Sequence, residues 1–159
     1  MSLEKENFLR TKLVPCLQRL DPATPPRWGK MSVQQMIEHF GNDAVRNASG
    51  LLKMDNILTP PENLDRMREF MMSDKLFKEN THNPLMGEEP APLQFATVQA
   101  AIGSLQQELI YFFEAYEKNP VQIIRNPFFG DLNFEQNVQL LYKHALHHLR
   151  QFGVEPLTP

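Results

Sequence analysis

Five histidines, His39, His82, His144, His147 and His148, are the side chains best suited to chemistry in this sequence. His144 and His148 stand four residues apart, so in a helix their imidazoles project from one face on successive turns and reach a common ion. Two rings do not complete a site, and a further donor has to come from elsewhere in the chain. His39 is the one histidine in another segment of helical pattern. Three neutral imidazoles plus water would make an open tetrahedral Zn²⁺ site, or part of a larger shell around Ni²⁺ or Fe²⁺. Ala145 follows His144, which excludes the H-E-x-x-H arrangement of a metalloprotease. The H-x-x-x-H spacing alone is weak, and solvated or hydrogen-bonded histidines are the ordinary alternative.

The elements that must position these rings follow from hydrophobic periodicity, which is helical almost throughout. A first helix over residues 3–20 carries Leu9, Leu13, Cys16, Leu17 and Leu20 on one stripe, with a kink or break expected at Pro15. Residues 21–29 hold three prolines and read as a connection anchored by Trp28. A second helix begins after Ser32, with Gln35 completing a capping pattern, and ends between Asn47 and Gly50. Val33, Met36, Ile37, Phe40 and Ala44 share its apolar face. Thr59-Pro60-Pro61-Glu62 announces a third, shorter helix to about Met72 by a capping pattern and proline at the helix start. Residues 73–94, polar and broken by Pro84, Gly87, Pro90 and Pro92, form a long loop, either a lid or a surface insertion.

A fourth helix repeats Val98, Ile102, Leu105, Leu109, Phe112, Phe113 and Tyr116 at three and four residues until Asn119-Pro120. The last helix follows the turn-rich Asn126-Pro127-Phe128-Phe129-Gly130, starts near Asn133 and stops at Phe152, with Gly153 suited to the C′ position. On a wheel of ~100° per residue, His148 lies ~55° and His144 ~95° from the apolar centre of this helix. His147, at ~155°, is expected to face solvent or a partner. His39 lies ~120° from the apolar centre of its own helix, a position that would not nominate it alone. The chain reads as all-α, one bundle domain over residues 1–153 with a poorly ordered tail at 154–159.

Other side chains carry weaker expectations. Glu38 would be a general base or, more simply, a solvated helix carboxylate. Arg150 would bind an anion or make a surface ion pair, and Tyr142 and Gln151 flank the histidine pair. His82 would cap the site or remain a loop histidine, and Phe128 and Phe129 would wall a pocket or fill the core. Cys16 reads as a small buried hydrophobe rather than a nucleophile.

Composition bounds the classes. The 159 residues carry 16 Lys+Arg against 19 Asp+Glu, a net charge of −3, and no basic run, which disfavours nucleic-acid binding. Apolar residues at 42% exceed what a wholly disordered chain carries, yet no stretch is long and apolar enough to span a membrane. One cysteine permits neither an intrachain disulfide nor a cysteine-rich metal site, and no signal peptide is evident, so a cytoplasmic protein is expected.

Trp28-Gly29-Lys30-Met31-Ser32, Gln34-Gln35-Met36, Glu38-His39 and the run from Tyr142 through His144, His147 and His148 to Gly153 together resemble the DinB-like superfamily. More narrowly they resemble a branch known only as a domain of unknown function, as do Ser73-Asp74-Lys75 and residues 126–130, so the likeness extends over nearly the whole chain. It implies a DinB-type four-helix bundle with an extra short helix and a long Pro-rich loop, commonly a homodimer. The superfamily's three metal histidines map onto His39, His144 and His148. The resemblance also implies a divalent-metal-dependent enzyme acting on a small molecule, such as a transferase or isomerase that uses bacillithiol, mycothiol or another low-molecular-weight thiol. A metal-dependent hydrolase is equally compatible, and a bundle that binds metal, a ligand or a partner without turnover is the alternative class.

Overall fold

The first helical rod of the computed structural model, which describes residues 3–81 and 83–155, passes through its proline. It begins as α1 (Leu3–Asn7), widens into a π-helical segment, π1 (Phe8–Lys12), and resumes as α2 (Leu13–Arg19). The Leu13 N–H donates to the Phe8 carbonyl, five residues back. A proline offers no N–H and crowds the carbonyl four residues before it, so a widened turn just upstream lets the helix continue past Pro15. The expected break is thus replaced by a change of helical type.

A second rod is built the same way from α3 (Val33–His39), π2 (Phe40–Val45) and α4 (Arg46–Ser49). Its start is a complete capping box: the Gln35 N–H donates to Ser32 Oγ at 3.1 Å, and the Ser32 N–H donates to Gln35 Oε1 at 2.9 Å. Its end is Gly50 at φ +88°. Three single-type helices follow, α5 (Pro61–Met72), α6 (Val98–Lys118) and α7 (Phe134–Gln151). Pro61 does occupy the start of α5, but Thr59 caps nothing; its hydroxyl donates to the Phe128 carbonyl at 2.7 Å. Thr97 and Asn133 cap α6 and α7, the latter with Gln136 as a second capping box.

The architecture of the described residues is therefore mostly helical, five rods, with one small antiparallel hairpin the periodicity does not announce. Strands β1 (Ile124–Asn126) and β2 (Gly130–Leu132) pair Asn126 with Gly130 and Ile124 with Leu132. Three residues per strand are too few for alternation to register. The turn between them is folded by Asn126, whose Oδ1 accepts the N–H groups of Phe128 and Phe129 at 2.8 and 3.0 Å. Gly130 closes it at φ +77°, where a β-carbon would also meet the Arg68 guanidinium. Gly130→Ala is expected to cost about 1–3 kcal/mol, measured by urea denaturation; an unchanged midpoint would show the turn to be more yielding than its geometry implies.

The main core lies between the first two rods, α6 and α7, and contains Phe8, Leu13, Ile37, Leu105, Phe112 and Leu141. A second cluster of Met71, Phe129, Leu132 and Leu140 joins α5 and the hairpin to the outer side of α7, with Met67, Phe77 and Phe128 against it. Phe129 thereby takes a core role, and Phe128 is half-buried beside it. Beyond Gly153, which has φ +79°, the Val154 N–H donates to the Leu149 carbonyl and Glu155 pairs with Arg150 at 3.3 Å. The remainder of the expected tail, residues 156–159, lies outside the described residues. No described helix is long and apolar enough to cross a membrane.

Candidate metal centre

His39 ends α3, and His144 and His148 lie on α7. The packing of the second rod against α7 closes the distance between them. The His39 ring centroid lies 5.5 Å from that of His144 and 5.3 Å from that of His148, and the α7 pair are 4.6 Å apart. One ring nitrogen from each residue falls within 4.8 Å of the others. Nitrogen donors around a tetrahedral Zn²⁺ stand roughly 3.3 Å apart, given Zn–N distances of about 2.05 Å, so small ring rotations suit the set to one cation. The wheel angle of His39 is a property of α3 itself, since Val33, Met36 and Ile37 already set an apolar centre ~115° away from it. What brings its ring to the pair is the packing of α7 beside that edge of the rod.

Two of the three rings are held from behind. His39 Nδ1 lies 2.8 Å from Asp43 Oδ2, one turn on in the same rod. His148 Nδ1 lies 2.8 Å from Gln151 Oε1, while Gln151 Nε2 donates to the Trp28 carbonyl at 3.0 Å. On the inner side the Nε2 atoms of His144 and His148 are 2.8 Å apart. Phe40 packs edge-on against His144, with ring centroids 5.4 Å apart. Metal-ligating histidines ordinarily have such outer partners, which fix ring orientation and raise donor strength.

Burial sets the charge state. It pushes His148 down to about 3 and His144 well below the usual imidazole range, with the neighbouring histidines adding to the effect on each. Both rings are therefore neutral at pH 7, the form that coordinates metal. Each has a folded value below its unfolded value of roughly 6.5, so on acidification the unfolded chain takes up protons first. Stability contributed by these neutral rings is complete above pH 6.5 and is lost as pH falls toward the folded values. Metal-free protein is expected to lose up to about tenfold in its folding equilibrium per histidine for each pH unit below 6.5. Denaturant titrations at pH 7.5 and 5.0 check this; equal stabilities would mean the rings protonate freely in the fold.

The other sequence expectations divide. His147 does not face solvent: it is half-buried, its ring 5.3 Å from Trp28, 6.4 Å from Phe77 and 5.2 Å from His148. The wheel sees only α7, whereas the Trp28 connection and the start of the 73–94 loop fold over its outer face. Glu38 is no solvated carboxylate. It is 7% exposed and accepts the N–H groups of Gln94 at 2.7 Å and Phe95 at 3.3 Å and the Gln34 amide at 3.0 Å. It thereby clamps the far end of the long loop beside His39. Lys30–Glu89 and the bond from Gln35 to the Ala91 carbonyl fix the loop further.

Arg150 makes the ion pair with Glu155, and Tyr142 is buried edge-on against Phe8. Cys16 is half-buried against the core, its Sγ 3.7 Å from the Arg19 guanidinium. His82, expected to cap the site or remain a loop histidine, lies outside the described residues. Sequence reasoning missed Asp43, whose position four residues after His39 was a usable signal. It also missed Lys143, a buried amine pushed down to about 8 by desolvation. Lys143 donates to the Phe70 and Ser73 carbonyls at 2.7 and 3.2 Å and so satisfies the C-terminal end of α5.

Comparisons with protein-family models, curated proteins and solved structures yielded no match. Fold and site together define a mostly helical protein with a largely buried three-histidine cluster capable of coordinating a metal ion.

Proposed function

We propose that the protein is a divalent-metal-dependent enzyme of the DinB-like bundle class, acting on a small molecule and using a low-molecular-weight thiol. The observation that carries the reading is the convergence of His39, His144 and His148 from two distant stretches of chain. Three imidazoles leave at least one position on Zn²⁺, Ni²⁺ or Fe²⁺ for an exogenous ligand. A cation there would supply Lewis acidity toward water or a thiol. The thiol is external, because Cys16, the single cysteine, packs against the core on the first rod. Asp43 and Gln151 hold their rings in place, and burial keeps His144 and His148 neutral. The resemblance of the motifs around Trp28, His39 and His144 supplies the thiol-transfer class and a homodimeric state.

Metal analysis of the purified protein beside a His39/His144/His148 triple-alanine variant is the first test. The reading expects close to one divalent ion per chain in the former and none in the latter. A screen of small thiols with electrophilic acceptors follows on the loaded protein. A loaded centre that admits no exogenous ligand and turns over nothing would replace catalysis with a structural or binding role.

A further inference from the structure

Gln151 sits where α7 ends and is 4% exposed. Its side-chain amide has a single orientation that satisfies both neighbours. The Trp28 carbonyl can only accept, so Nε2 must face it, at 3.0 Å. Oε1 is then left to face His148 Nδ1 at 2.8 Å, and that nitrogen must be the donor. With its proton fixed on Nδ1, neutral His148 presents a lone pair from Nε2, the atom 2.8 Å from His144 Nε2. The backbone repeats the link: the Arg27 N–H donates to the Gln151 carbonyl at 2.7 Å. Gly29 leaves room for the amide, since a β-carbon there would lie 3.2 Å from Gln151 Nε2. The same connection places the Trp28 ring against His147.

We propose that Gln151 is a positioning residue that fixes His148 as the Nδ1–H tautomer, ready to bind a cation through Nε2, and that it couples occupancy of the three-histidine cluster to the Trp28 connection. The inference rests on the metal reading above for its purpose, but its core, the tautomer, exists without metal. It differs from the role of Asp43, an exposed carboxylate on the same rod as its histidine. Gln151 instead joins the centre to a segment 123 residues away in sequence.

The tautomer is read by ¹⁵N chemical shifts of the His148 ring in metal-free protein at pH 7.5. The inference expects Nδ1–H in the wild type and a mixture or reversal in Gln151→Leu; a wild-type Nε2–H ring overturns it. Titration with Zn²⁺ alone then follows affinity and the emission of Trp28, the single tryptophan. Gln151→Leu is expected to weaken binding on the order of 10–100-fold and to lose most of the Trp28 response. Gln151→Glu, which keeps an acceptor for His148 but loses the donor to Trp28, is expected to stay within a few-fold of wild-type affinity while also losing that response. Wild-type affinity in Gln151→Leu, alongside lost binding in His148→Ala, refutes the positioning role. A wild type that binds no Zn²⁺ defeats the metal reading instead, and the tautomer measurement still decides the Gln151–His148 link.

Discussion

His144→Ala is expected to lower Zn²⁺ affinity by on the order of 10²–10³-fold while leaving a folded protein. His144 brings one of three donors, and the two that remain come from different rods. Two nitrogens hold a cation far less well than three, because each extra donor adds its bond after the entropy of capture has been met. The fold should survive, since the main core of Phe8, Ile37, Leu105, Phe112 and Leu141 does not depend on this ring. His147→Ala is the informative control. Its ring is 5.2 Å from His148 yet outside the cluster, so affinity should stay within a few-fold of wild type. Equilibrium dialysis with metal analysis, beside circular dichroism for the fold, measures both. Equal loss in the two variants would mean that the cluster is defined differently from the three rings named.

Glu38→Ala is expected to destabilise the protein by about 2–4 kcal/mol. The carboxylate accepts two backbone N–H groups from the end of the long loop and one side-chain amide, all from a nearly buried position. Alanine leaves those donors without their partner, at roughly 1–3 kcal/mol for each one that water does not reach. Glu38→Gln keeps one acceptor oxygen but turns an amide NH₂ toward a donor, so it should recover only part of the loss. Because Glu38 precedes His39 in α3, releasing the loop also loosens cover next to the candidate centre. Hydrogen exchange at Gln94 and Phe95 distinguishes the clamp from a general packing loss: those two amides should lose protection first in Glu38→Ala. Unchanged protection there would remove the clamp from the account.

The helices were legible because each carries its own signals. Ser32 with Gln35, Asn133 with Gln136, and Gly50 and Gly153 mark ends by local hydrogen bonding and by positive φ, which need no knowledge of the remaining chain. The stripe of α6 was legible for the same reason: its buried residues recur with the period of one helix. The hairpin was not, since three-residue strands have too little period to read and their pairing is set by the Asn126 turn and Gly130. Nor were π1 and π2, whose widened turns depend on Pro15 and on packing, so wheel angles drawn across them drift.

Local spacing alone put His144 and His148 on one face, since two positions a helical turn apart share a direction whatever surrounds them. The sequence also supplied the third imidazole, but not where it would lie. Bringing His39 to within ring contact of α7, turning His147 under Trp28 and Phe77, and sinking Glu38 beneath the 94–95 backbone were decided by how the rods and loops pack. The reason is that orientation along one helix is a property of bond geometry, whereas proximity between helices is fixed only when all their apolar faces are buried together.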